Sequence, residues 1–201
     1  MSLSKPFPLI RLPRLPLFKV FNYIGVQEQK LHIQNLKISS TIVEDEIVGF
    51  VLDNCRAASE VHLNCPTTPG FDYLKKTPTP KFSLDKLTIN YAEWVTTRHL
   101  TNLFINCKHV ILDGCDPKNL KIKQFIKKWV YEYSQLKYAS LTFDYADFSM
   151  KDIMRWIPSK RVPTRTMLEP CNVYCIKQQK TGAQAYVIRN HRTILITDSL
   201  Q

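Results

Sequence analysis

The chain reads as an α/β protein: repeated β-α units forming a parallel, leucine-rich-repeat-like open sheet, with a short helical N-terminal element and a C-terminal β-hairpin. Three observations predict this. Strand-like and helix-like segments alternate from about residue 31 to 157. The candidate strands centre near 35, 62, 88, 111 and 141, with spacings of 27, 26, 23 and 30 residues. Such spacings suit β-α units in a parallel sheet and equally an open arc of leucine-rich-repeat type, although the strict leucine consensus is absent. Finally, residues 6–25, PFPLIRLPRLPLFKVFNYIG, are a proline-punctuated apolar stretch ending in one short amphipathic helix. A helix that short cannot bury its apolar face alone and needs a neighbour to dock on.

Taken in order, LHIQNLKI (31–38) begins with an alternation and predicts a strand. Thr41 is placed to cap a helix whose first turn holds Glu44, Asp45 and Glu46, where acids suit the helix dipole. Ile47, Phe50, Val51 and Cys55 continue it at helical spacing. Val61 to Leu63 predicts a short strand. Pro66 to Pro80 holds four prolines and one glycine and predicts a long surface loop. KLTIN (86–90) is the next strand, and Thr97 then caps a helix with Leu100, Leu103 and Phe104 on its apolar face.

Val110 to Leu112 is a further strand. Asp116-Pro117 reads as a helix start, a capping carboxylate followed by proline at the first helical position. In that helix Ile122, Phe125, Ile126, Trp129, Val130 and Tyr133 fall on one side, with Lys123, Lys127 and Lys128 largely opposite, as a solvated face requires. YASLTF (138–143) predicts a strand. Ser149 with Asp152 resembles a capping box for a short helix buried through Ile153, Met154, Trp156 and Ile157 and stopped by Pro158. After a Pro- and Arg-rich connection (159–170), strands are predicted at 173–176, 185–188 and 194–197, with Thr181-Gly182 turning between the first two.

Apolar residues at 44% and charged residues at 22% of 201 describe an ordinary globular chain able to hold one sizeable core and a small appendage. No apolar run is long enough to span a bilayer, and no secretion signal is read at the N-terminus, so a cytoplasmic or nuclear location is expected. Six cysteines, at 55, 65, 107, 115, 171 and 175, therefore read as free thiols. Cys171 and Cys175 lack partners at zinc-site spacing and read as two positions on one strand.

The net charge is +11, of which residues 1–40 carry +5. Such a surface suits acidic partners, but no nucleic-acid-binding motif accompanies it, and its plain reading is a cationic, soluble surface. No GxSxG, HExxH, P-loop or GxGxxG occurs, and five glycines cannot supply a phosphate cradle. His99 and His109 read as surface or boundary residues, and Asp113 and Asp116 as strand-to-helix turn residues. Trp129 and Trp156 read as core; Trp94, ahead of its helix, reads as core or partly exposed. No cofactor, metal or catalytic residue is expected.

Two stretches carry a resemblance. FPLIRLPRLPLFKVFNYIG (7–25) opens with FPL-x-RLP and an apolar helix. From 71 to 196, FDYLKK, KLTINYAEWVTTRHLTNLFINCKHVIL, LKIKQFIKKWV, LKYASLTF and TGAQAYVI follow in order. Together they resemble nematode F-box proteins that carry the type 2 F-box-associated domain. The resemblance implies a partial F-box over 1–28 and a substrate-recognition domain over 29–201. An F-box docks on a Skp1-like adaptor of a cullin ubiquitin ligase, which would assign adaptor contact to Pro8, Leu9, Leu12, Pro13, Leu17, Val20, Phe21 and Ile24. Leu17, Val20, Phe21 and Ile24 form one helical stripe, each worth roughly 1.5–3 kcal/mol if buried. Packing against the chain's own domain would satisfy that stripe equally.

The departure from the family is that Gly25 is followed by VQEQK and then directly by strand-like LHIQNLKI, so about half of an F-box is missing. The expected function is thus a non-catalytic substrate-recognition adaptor of a Skp1–cullin–F-box ligase with an unknown protein substrate. A ligase-independent interaction module, a basic nucleic-acid binder and an enzyme without recognisable motif stand as alternatives.

Overall fold

The computed structural model describes residues 34–55, 58–73, 81–145, 148–163 and 173–200. The chain divides into two units, Met1–His32 and Ile33–Gln201, and every described residue belongs to the second. The N-terminal helix and the eight residues assigned to adaptor contact lie outside the described residues.

Nine strands form one sheet in the order β1-β2-β3-β4-β5-β9-β8-β7-β6. The first five are β1 (Asn35–Ser39), β2 (Glu60–Asn64), β3 (Lys86–Asn90), β4 (His109–Cys115) and β5 (Tyr138–Phe143), each parallel to the next. Parallel neighbours need long crossovers. Two of these are helices, α1 (Asp45–Asn54) and α2 (Ile122–Tyr131), and a third is a π-helical turn, His99–Phe104. Between β2 and β3 residues 66–73 run without helix or strand, as the prolines predict.

After α3 (Met150–Met154) come β6 (Ser159–Val162), β7 (Val173–Lys177), β8 (Gln184–Asn190) and β9 (Thr193–Thr197). These four pair antiparallel, and β9 joins them antiparallel to β5.

The sheet is therefore mixed, which corrects the expectation of a parallel, leucine-rich-repeat-like sheet closed by a hairpin. The repeat spacing ends at β5, and the remaining strands pair antiparallel, with β7 to β8 and β8 to β9 joined by short connections. The predicted C-terminal hairpin is part of a four-stranded antiparallel meander. Its first strand, β6, lies in a segment read as connection, because SKRV has no apolar alternation to announce it.

Register explains the core. Val61, Leu87, Val110, Ala139, Ile196 and Val187 are successive partners across the sheet, and all are buried. They form one apolar cluster with Val48, Val51 and Leu52 of α1, Phe125, Ile126 and Trp129 of α2, and Met150 and Ile153 of α3. The alternate row, His62, Thr88, Ile111, Ser140, Leu195 and Ile188, lies on the opposite face and is half-buried. The antiparallel strands lock onto α2 through its last carbonyls, which a helix leaves without internal partners. Gln178, itself buried, donates from Nε2 to the Trp129 carbonyl at 3.1 Å, and the Gln179 N–H donates to that of Val130 at 2.8 Å.

Several local expectations change. Glu44, not Thr41, precedes α1 and makes no capping side-chain bond; Asp45 instead accepts the Thr68 N–H at 2.8 Å. Asp116 accepts the Lys118 N–H within a turn, and α2 starts only at Ile122. Thr97 does not cap its own helix: its hydroxyl accepts the Lys121 N–H at 2.6 Å and so anchors the entry to α2. Tyr133 lies past the end of α2 and is exposed. Ser149 does cap α3, accepting the Asp152 N–H.

Candidate binding surface

Among the described cysteines, Cys55, Cys65, Cys107 and Cys115 are buried. Burial pushes the Cys55 thiol up to about 11 and that of Cys107 up to about 12. Cys115 is pushed further, by burial first and then by Asp113 and Asp144. Such thiols stay protonated at neutral pH and are poor nucleophiles or ligands. The described cysteines are free; Cys175 lies on β7, while Cys171 is outside the described residues. Among the described residues no group of three His, Cys, Asp or Glu side chains is placed to hold a metal.

His99 corrects the surface assignment, since it is fully buried. The Thr96 N–H donates to its Nδ1 at 3.0 Å, which leaves the proton of the neutral ring on Nε2. Nε2 lies 3.7 Å from Asp72 Oδ1 and has no hydrogen-bond partner. Desolvation lowers its pKa to about 4, against the opposing pull of Asp72. Trp94 packs edge-on to it at 5.2 Å and is likewise buried. His109 is exposed, its Nδ1 2.9 Å from the Asp85 carbonyl. Asp113 is exposed and accepts the Gly114 N–H.

The surface that stands out is at the other margin, where α3 meets β6. Trp156, expected in the core, is 76% exposed. The reason is local. Helix α3 ends at Met154, after barely more than one turn, so helical phase does not extend to Trp156. Instead the Ile157 N–H donates to the Met154 carbonyl at 3.0 Å, and Arg155 sits at φ −58°, ψ 124°. Trp156 follows at φ +68°. This is a type II turn with tryptophan where glycine is favoured. A bulky residue in that left-handed region costs of order 1–3 kcal/mol.

Beside this turn lies a groove of about 680 Å³. Helix α3 lines it with Lys151, Asp152 and Met154, the turn with Arg155, and the sheet with Ser159 of β6 and Tyr174 of β7. The Arg155 guanidinium carbon lies 5.5 Å from the Trp156 ring centroid, a cation–π contact. Lys160, exposed, alternates with Ser159 and so points to the opposite face of β6. The place is thus aromatic and cationic, with Asp152 as the carboxylate in the groove lining.

An exposed ring beside cations and a groove offers contact area to another molecule. Sequence reasoning missed Trp156, Lys160 and Tyr174. The i, i+3 spacing from Ile153 disguised Trp156 as core, and the early stop at Pro158 was the signal against it.

The class of the chain enters through its centre. Residues 80–141, which run from the approach to β3 through the π-helical turn, β4 and α2 into β5, match the family described as F-box associated. The chain carries an F-box-associated segment, as the resemblance to nematode proteins of this kind implied. In particular it is similar to the Skn-1 dependent zygotic transcript 15 protein of Caenorhabditis elegans, 30% identical over 109 residues. That stretch covers 53% of this chain and 29% of the relative's length. No solved structure matches the chain. The α3–β6 groove lies beyond the family-matched residues. No helix among the described residues is long and apolar enough to cross a membrane.

Proposed function

We propose that the chain is a non-catalytic substrate-recognition adaptor, its F-box-associated domain (29–201) holding a target and its partial F-box (1–28) meeting a Skp1-like adaptor of a cullin ubiquitin ligase. The observation that carries this reading is the F-box-associated match over 80–141. The mechanism is proximity: one end stays on the ligase while the other keeps a target near the ubiquitin-charged partner. Its place is the cytoplasm or nucleus, where such ligases work. The single mixed sheet of nine strands supplies the surfaces on which a target would be held.

The test is a pull-down with the purified full chain and a Skp1-like adaptor. Capture is expected, and Leu12→Asp combined with Phe21→Asp is expected to abolish it. Failure of the unmutated chain to capture the adaptor removes the ligase role. In that case target capture without an adaptor identifies a ligase-independent interaction module, the reading that the shortened F-box favours.

A further inference from the structure

We propose that the outer edge of β6, together with the Trp156 turn and the α3 groove, takes an acidic peptide in extended form, added to the sheet as a further strand. This deepens the recognition reading above, on which it rests, by naming the chemistry of the target.

Four observations carry it. Strand β6 ends the sheet and pairs only with β7 among the described residues, so its far side presents backbone donors and acceptors to an incoming strand. Trp156, in the turn three residues ahead of β6, is 76% exposed and held at φ +68°. A side chain that gains so little burial from the fold, in a conformation that costs energy, is placed to gain it from a partner. The groove below offers room for side chains on one face of the added strand.

The charges then choose the partner. Lys151 and Arg155 line the groove, and Lys160 points to the other face of β6. Side chains of an extended peptide alternate between faces. Acidic groups in either phase therefore meet a cation; in the groove two cations outnumber the one carboxylate, Asp152, and on the other face a basic group meets Lys160. The opposite sheet edge, β1, has Lys37 but neither an exposed tryptophan nor this groove.

The probe is a fluorescein-labelled (Glu-Thr)4 peptide titrated against the full chain and followed by anisotropy, beside (Lys-Thr)4 and a (Glu-Thr)4 N-methylated at every residue. The acidic peptide is expected to bind about tenfold or more tighter than the basic one. The methylated peptide is expected to lose about tenfold, because neither of its edges can donate a backbone hydrogen bond. Trp156→Gly is expected to weaken binding by about tenfold. It should melt at or above the wild-type temperature, since glycine suits the turn. Lys151→Glu with Arg155→Glu is expected to invert the charge preference without disturbing the core.

Equal binding of acidic and basic peptides overturns the proposal, as does equal binding of the methylated peptide. An oligothymidylate that displaces (Glu-Thr)4 with tighter affinity overturns it in favour of a single-stranded nucleic acid site. If the chain captures targets and Trp156→Gly leaves that capture unchanged, this site is wrong and the recognition reading stands. If the peptide binds as described but the chain captures neither adaptor nor target, the recognition reading falls and the peptide site stands.

Discussion

Trp129 and Trp156 occupy two regions that the amino-acid pattern makes look alike. Each follows an apolar residue at i−3 and sits in or beside a helix that carries lysine, three in the case of α2 and Lys151 alone in α3. In the family-matched centre, Trp129 is buried and its Nε1 donates to the Leu136 carbonyl at 3.1 Å. At the α3–β6 margin, Trp156 stands in solvent. The difference is helix length. Ten residues of α2 carry a stripe across the sheet, and the antiparallel strands then secure its last carbonyls. Five residues of α3 carry the stripe only as far as Met154. The centre is thus packed on every side, whereas the margin leaves its tryptophan in solvent.

The sharpest way to break this comparison is to hollow the centre. Phe125→Ala removes a fully buried ring from α2 and is expected to cost about 3–5 kcal/mol, read as a lower urea midpoint. A loss no larger than that of a margin substitution would show that the centre is not the rigid half.

The buried His99 sharpens the same contrast through pH. Its folded pKa of about 4 lies below the ordinary 6.5. Below 6.5 the unfolded chain binds a proton that the folded chain refuses, so stability falls as pH drops from 6.5 toward 4. The full loss is on the order of 3 kcal/mol, and above 6.5 the group contributes no pH dependence. Urea titrations at pH 7 and pH 5 should show the wild type losing clearly more stability than His99→Gln. Equal losses would show that the ring is hydrated and outside the core.

The smallest effect belongs to the margin. Ser149→Ala deletes the cap of α3 and is expected to cost about 1 kcal/mol. Because α3 is one wall of the groove, this variant should also weaken the peptide binding proposed above, whereas Phe125→Ala at a temperature where it stays folded should not. The reverse pattern would place the binding surface in the centre.

Much of the fold was legible along the chain. Alternation placed β2, β3, β5, β8 and β9 close to their final bounds, because a strand with one buried face must write apolar residues at every second position. The 3.6-residue period placed α2 for the same reason. The repeat spacing located the five strands that turned out parallel. It was silent on where parallel pairing stops, because pairing direction depends on which distant strand is met, and no local pattern encodes that. Ser159–Val162 carries polar residues at three of its four positions, so only its pairing with β7 makes it a strand.

The candidate surface was scarcely legible. Lys151 and Arg155 looked like ordinary solvated charges until Tyr174, from a strand about twenty residues on, closed the groove beside them. Likewise Thr97 could be seen as a cap, but not as the cap of a neighbouring segment.

By itself, then, the order of amino acids determined the α/β class, the seats of most strands, the α2 stripe, the free state of the described thiols and the F-box-associated resemblance, all of which rest on local periodicity, composition or residue order. Tertiary structure alone decided the change from parallel to antiparallel pairing, the burial of His99 and the exposure of Trp156. Each of those depends on which distant segments come together to exclude water, and that is a property of the folded sheet rather than of any short stretch of chain.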